Sequence, residues 1–117
     1  MSLASTLLSR AKLRFGPVVL NRHLRTVTVE ATGQRLVLTW SEHEAFDTLA
    51  LANGVPVSRA DLSMAALGRP QTNKCTDRSV DQLIHQLRAK LPQDDAGADL
   101  ILSARSRGHW MRAGDPV

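Results

Sequence analysis

The chain has a single cysteine, Cys75, among its 117 residues, so it cannot form an internal disulfide or a cysteine-rich zinc site. This scarcity fits a reducing compartment, and we expect a cytoplasmic protein. No apolar run approaches the roughly 20 residues of a membrane span, and residues 1–15 lack the apolar stretch of a signal peptide. No internal repeat stands out. The absences therefore point to one ordinary domain with no membrane span.

The composition allows a real core and a basic surface. Hydrophobic residues make up 43% of the chain, and 15 Lys and Arg against 11 Asp and Glu give a net charge of +4. A domain of this size has limited stability to spare. The charge balance suits nucleic acid or another anionic partner, but it also fits an ordinary basic protein.

Residues 76–91 have the pattern of an amphipathic helix. One face collects apolar side chains at i, i+4, i+7 and i+11: Val80, Ile84, Leu87 and Leu91. The opposite face holds donors and acceptors with no large apolar group: Arg78, Gln82, His85, Gln86 and Ala89. Thr76 or Asp77 can cap the start of this helix. A face of this kind can read DNA base edges, or it can be a solvated surface, and the pattern alone leaves both open.

The remaining chain supplies the context for that helix. Residues 13–38 alternate in the manner of an antiparallel meander, and Thr39 with Glu42 fits a capping box at the start of a first helix. A second helix follows from Ser58, a polar loop covers residues 68–76, and residues 101–112 predict a closing hairpin. Two short helices, a polar-faced helix and a hairpin are the order of a winged helix-turn-helix.

Four motifs in this order resemble the C-terminal winged-helix effector domain of OmpR/PhoB-type response regulators. They are LTWSE (38–42), GVPVSRADL (54–62), RSVDQLIHQLRAKL (78–91) and ILSARSRGH (101–109). The resemblance implies an α+β winged helix-turn-helix with an N-terminal four-stranded antiparallel sheet, three helices and a C-terminal β-hairpin wing. We place this domain at residues 13–112, with residues 1–12 as a linker remnant or disordered N-terminus and 113–117 as a tail.

The resemblance also implies the DNA contacts, with the third helix in the major groove and the wing in the minor groove. By position it assigns contacts to these residues: Arg78, Gln82, His85, Gln86, Arg88, Ser103 and Arg105. The glutamines can pair bidentately with adenine. Arg105 and Arg107 suit the negative potential of a minor groove, although a solvent-facing hairpin tip is the alternative. Ser79 and Lys74 suit phosphate contacts, whereas Arg88 lies on the flank of the helix, where a structural ion pair competes.

Several residues depart from the family pattern. Ser106 replaces the first wing glycine, His109 replaces the usual tyrosine, and Leu67 replaces a tryptophan. In the family, the loop corresponding to residues 68–76 often meets RNA polymerase. Response regulators also carry a receiver domain, which the residues before 13 are too few to form, so we expect either a fragment of a longer regulator or a stand-alone effector domain.

The sequence supports two functional hypotheses. The first is sequence-specific binding of double-stranded DNA as the effector domain of a two-component-type transcriptional regulator, with two copies on DNA. The second is a protein-interaction module that contacts RNA polymerase or another regulator and has weak DNA affinity. We expect no enzymatic activity, no cofactor and no metal, because Asp81 and His85 at i, i+4 are only two ligands.

Overall fold

A computed structural model describes residues 12–70 and 78–117. Strands and helices follow in the order β1 (Lys12–Phe15), β2 (Val18–Asn21), β3 (Thr26–Val29), β4 (Arg35–Leu36), α1 (Trp40–Leu51), α2 (Arg59–Leu62), α3 (Ser79–Lys90), β5 (Ile101–Ala104), β6 (Gly108–Met111) and β7 (Asp115–Pro116). A π-helical turn, Ser63–Leu67, continues α2. The winged-helix order and the α+β class are confirmed.

The N-terminal sheet is antiparallel and has the order β4-β3-β2-β1-β7. Alternating side chains of β2 and β3 point into the core, where Val18 and Leu20 are fully buried and Val27 is 1% exposed. The resemblance implied four strands, and the structure adds β7, which pairs Leu13 with Pro116. Residues 113–117 show no alternation, so the pattern did not reveal this strand, and an edge position tolerates its proline.

The predicted capping box starts α1. The hydroxyl of Thr39 accepts from the Glu42 amide at 3.2 Å, and the Thr39 amide donates to the Glu42 carboxylate at 2.8 Å. The helix buries Phe46 and Leu49. The chain turns just after the helix, where Asn53 has a positive φ of 55°.

The second helix is short and changes its winding. The Ser58 hydroxyl caps it by accepting from the Asp61 amide at 3.1 Å. Leu62 and Ala66 face inward, and both are fully buried. Gly68, with φ of 69°, ends the π-helical turn in the left-handed region.

The apolar face of α3 is confirmed as part of the core. Ile84 and Leu87 are fully buried, and Val80 and Leu91 are nearly so. Leu83 adds to this face at 6% exposure. The proposed caps Thr76 and Asp77 lie outside the described residues, and Arg78, the residue before the helix, makes no side-chain cap.

The hairpin of β5 and β6 forms the predicted wing. Its register pairs Ser103 with His109 and Leu102 with Trp110. The strand β6 is also tied to the connection between α1 and α2, because the Val57 amide donates to the His109 carbonyl at 2.7 Å and the His109 amide returns a 3.0 Å bond. Buried Ile101 and Met111 anchor the hairpin in the core.

Candidate nucleic-acid interface

The outer face of α3 is exposed in the way its spacing predicted. Arg78, Gln82, His85 and Gln86 are solvent-exposed and line a shallow open groove with Asp81. Among the described residues, Arg78 has no ion pair, so its guanidinium is available to an anionic ligand. This face therefore presents a cation, two amides and an imidazole side by side.

The wing tip presents two further cations. Arg105 and Arg107 are exposed in the turn between β5 and β6, and neither forms an ion pair with a described residue. The turn closes through a 3.0 Å bond from the Arg107 amide to the Ala104 carbonyl. Ser106 takes a φ of 64° in this turn, the left-handed conformation that a glycine would adopt more readily.

Arg88 joins α3 to the wing. Its Nε donates to the Ile101 carbonyl at 2.9 Å, and its Nη2 donates to the Ser103 hydroxyl at 2.8 Å. For Arg88, the sequence left an ion pair as the structural alternative to a DNA contact. The structure shows two hydrogen bonds to β5 instead. The same bonds keep the α3 face and the wing adjacent.

The phosphate-contact candidates at the start of α3 have separate surroundings. The hydroxyl of Ser79 accepts from Arg69 Nη2 at 2.7 Å, and the Arg69 carbonyl accepts from the Ser63 hydroxyl at 2.6 Å. Ser79 is therefore engaged with the end of the π-helical turn. Lys74 lies outside the described residues, as do the loop residues 71–76.

The sequence pattern did not identify a polar cluster beneath the interface. Arg59 Nε donates to Asp81 Oδ1 at 2.8 Å, and His109 Nε2 lies 3.5 Å from the same oxygen. Although burial alone would raise the pKa of Asp81, the hydrogen bond and charge of Arg59 outweigh it, and this pKa is lowered. Arg59 and Asp81 both fall within the family motifs, but nothing in their spacing shows that they meet.

His109 is buried at the centre of this cluster. It is 5% exposed, and its Nδ1 lies 3.1 Å from the Ser103 hydroxyl. Burial disfavours the charged imidazolium and Arg88 adds repulsion, so the pKa of His109 is lowered despite the opposing charge of Asp81. The only sequence signal was that a histidine replaces the family tyrosine.

Other kinds of site are not found in the described part of the chain. Within residues 12–70 and 78–117, no group of three or more His, Cys, Asp and Glu could hold a metal ion. None of the helices described there is long and apolar enough to cross a membrane.

The sheet, three helices and hairpin define a winged-helix domain whose polar helix face adjoins its wing. Residues 33–111 match the family model "Transcriptional regulatory protein, C terminal", and the chain belongs to that family.

Similar proteins agree with this assignment. The chain is 37% identical over 79 residues to a probable transcriptional regulator, ycf27, of Guillardia theta, which covers 68% of the chain and 31% of that protein. The crystal structure of the DNA-binding domain of Escherichia coli CpxR aligns with a TM-score of 0.76 and 33% identity, covering 87% of this chain and 96% of that one. The Klebsiella pneumoniae RstA DNA-binding domain, solved in complex with the RstA box, aligns with a TM-score of 0.71 and 25% identity, covering 86% and 96%.

Proposed function

We propose that this domain binds double-stranded DNA sequence-specifically and serves as the effector domain of a transcriptional regulator. In this arrangement α3 lies in the major groove and the wing reaches the neighbouring minor groove. The observation that carries the proposal is the hydrogen bond from Arg88 to Ser103, which holds the exposed α3 face next to the wing and its arginines. The similar RstA domain, solved with its DNA site, supports the same use of this fold.

The exposed side chains divide into two roles. Gln82 and Gln86 have amides suited to adenine, and His85 can donate to or accept from a base, so these three read sequence. Arg78, Ser79 and Lys74 bind phosphate and position the domain without reading sequence. Arg105 enters the minor groove, with Arg107 nearby.

Arg88 and Ser103 have less freedom for direct contact. Arg88 Nη2 already donates to the Ser103 hydroxyl oxygen, so a DNA phosphate would compete with that oxygen for this part of the guanidinium. We keep them in the proposed interface as residues that border the DNA.

The experiment is selection of bound duplexes from a random pool, followed by affinity measurements on the selected duplex across salt concentrations. Arg105→Ala should weaken binding about tenfold and flatten the salt dependence by roughly one counterion, because one cation is lost. Gln86→Ala should relax preference at one base pair, while binding to other sequences changes little.

The matched control is Arg35→Ala. Arg35 is an exposed arginine on β4, in the N-terminal sheet. Its substitution removes the same charge at a position away from α3 and the wing. Its effect on affinity should be small. If no duplex binds better than bulk DNA at any salt concentration, the proposed function is wrong.

The whole protein is a further part of the proposal. The chain spans 31% and 42% of the length of two curated ycf27 relatives. We propose a cytoplasmic two-component regulator in which two copies of this domain occupy a DNA site and residues 68–76 meet RNA polymerase. Footprinting on the selected duplex would reveal one or two protected half-sites.

A further inference from the structure

We propose that His109 is a positioning residue for DNA binding: it holds Ser103, and through Ser103 the wing, against α3, and so keeps Arg105 over the DNA. The inference rests on the proposed function. It differs from the contacts implied by family resemblance, because Ser103 and Arg88 then act by orienting the wing and not by touching DNA themselves.

The hydrogen bonds around Ser103 each have a definite direction. A guanidinium can only donate, so the Ser103 oxygen accepts from Arg88 Nη2. The single hydroxyl hydrogen of Ser103 is then free to donate to His109 Nδ1 at 3.1 Å. Since Nε2 faces the Asp81 carboxylate, which favours a proton on that nitrogen, we assign the ring proton to Nε2 and make Nδ1 the acceptor of the Ser103 hydroxyl.

The other side of the His109 ring faces Asp81. Nε2 faces Asp81 Oδ1 at 3.5 Å, which is too long for a good hydrogen bond, and this oxygen already takes the 2.8 Å bond from Arg59. Among the described residues, the buried Nε2 has no hydrogen-bond partner. The pull of Asp81 on the ring is thus electrostatic, and the well-made side-chain bond of His109 is the one to Ser103.

A proton added to the His109 ring would disturb these hydrogen bonds. A protonated Nδ1 would become a donor, so the Ser103 hydroxyl would have to turn away while its oxygen faced two cations, Arg88 and His109. The charged groups around the ring are Arg88 and Asp81 on α3 and Arg59 on α2. Burial and Arg88 lower the pKa of His109, so the neutral ring is the form that fits the site.

The His109 ring is connected to the wing tip through Ser103. The backbone of His109 makes a pair of hydrogen bonds with Val57, so the ring extends from a position on β6 that is tied to the connection between α1 and α2. Ser103 lies opposite on β5, two residues before Arg105 at the tip. The two hydrogen bonds that link Arg88, Ser103 and His109 therefore set the position of the wing tip relative to α3.

The test is a double-mutant cycle with the 117-residue chain and the selected duplex. At pH 7.5, His109→Leu should weaken binding about threefold to tenfold, the effect of one hydrogen bond. In an Arg105→Ala background this loss should largely disappear, because a misplaced wing no longer matters. A full and additive loss in that background would overturn the inference.

His109→Asn is the matched rescue variant. Its side-chain oxygen occupies roughly the place of Nδ1 and can accept from Ser103, but it cannot be protonated. It should restore most of the affinity lost in His109→Leu. Because the pKa of His109 lies below its ordinary value, the ring is mainly neutral near pH 7, and the ratio of the two affinities should stay constant between pH 8 and pH 7. No rescue by His109→Asn would contradict the inference.

Ser103→Ala tests the same link from its exposed partner, because it removes the hydroxyl that donates to His109 Nδ1 and leaves the ring itself unchanged. Its effect should also vanish in the Arg105→Ala background. An equal loss in both backgrounds would show that Ser103 contacts DNA directly and would overturn the positioning role. If the unmodified protein shows no preferred duplex, the proposed function fails and this inference fails with it, whereas preferred binding with additive losses overturns the inference alone.

Discussion

Glu42 joins the start of α1 to the end of α3. Its carboxylate is 1% exposed, and one oxygen accepts both the 2.8 Å bond from the Thr39 amide and a 2.6 Å ion pair from Lys90. Burial would raise the pKa of Glu42, but the Lys90 hydrogen bond and the Thr39 bonds together lower it below the ordinary value of 4.5. A buried carboxylate held in this way depends on its partner.

Lys90→Met should therefore destabilise the domain by about 1–2 kcal/mol, a reduced figure for a buried charge whose partner is partly in solvent. Because the folded pKa of Glu42 is lowered, its stabilisation is present above the unfolded value and is lost as pH falls through the folded value. Without Lys90 that loss should begin at a higher pH. Thermal unfolding measured from pH 7 to pH 3 checks both the size and the shift.

Lys12→Met is the control for the Lys90 prediction. Lys12 is an exposed lysine at the start of β1, so the substitution removes the same charge without exposing a buried carboxylate. Its melting temperature should stay close to that of the unmodified protein. Equal melting curves for the two variants would show that the Glu42 pair contributes nothing.

At the level of elements, the wing is held by a close approach of β6 to the connection between α1 and α2. A Cβ on Gly108 would lie 1.9 Å from the Val57 carbonyl oxygen, and φ is +104°. No side chain fits there without separating the two segments. This glycine, in the pattern that indicated the hairpin turn, is thus required by packing as well as by backbone conformation.

Gly108→Ala should lower stability by about 2–4 kcal/mol, from the steric overlap and the left-handed backbone together. Denaturant unfolding with a DNA-binding assay would measure it. Gly97→Ala is the matched control, because Gly97 has φ of +81° but nothing within 4 Å of its Cβ position. That variant should lose only about 1 kcal/mol. Similar losses in both would mean that the contact with Val57 is not tight.

Local patterns predicted the elements whose cause is local. The capping box of Thr39 and Glu42, the apolar face of α3 and the turn of the wing each depend on residues within a few positions of one another. Such features carry their own physical signal, and the order of the elements then indicated the fold. The four-motif resemblance added the expected interface, whose individual contacts remain predictions.

Long-range contacts could not be predicted in the same way. Lys90 meets Glu42 across 48 positions, and His109 meets Asp81 only because the hairpin closes against α3. From sequence alone, Lys90 looks like a surface residue and His109 looks like an unexplained departure from the family pattern. Only the packing shows their partners. The π-helical turn Ser63–Leu67 likewise has no marker in its composition.

At the scale of the whole molecule, the sheet brings the two ends of the described chain together. The strand β7 covers the free edge of β1, with Arg14 paired to Asp115 and a 3.2 Å bond from the Val117 amide to the Lys12 carbonyl. Gly114 lies against the ring of Phe15. Phe15 in turn packs edge-to-face on Phe46 of α1, with ring centroids 5.7 Å apart. The last residues therefore cover both the edge of β1 and the ring of Phe15, which packs against the helical core.

Removing residues 113–117 tests whether this segment belongs to the domain or is the tail that its composition indicates. Loss of the β1 edge pairing and exposure of Phe15 should cost about 1–3 kcal/mol, or roughly 5–10 °C in melting temperature. Affinity for the selected duplex at 25 °C should be unchanged, because α3 and the wing lie elsewhere. Asp115→Asn keeps the backbone pairing and should melt like the unmodified protein, so a drop there would point to charge and not to the strand. An unchanged melting temperature after truncation would place the domain boundary before residue 113. It would also mean that β7 contributes nothing to stability.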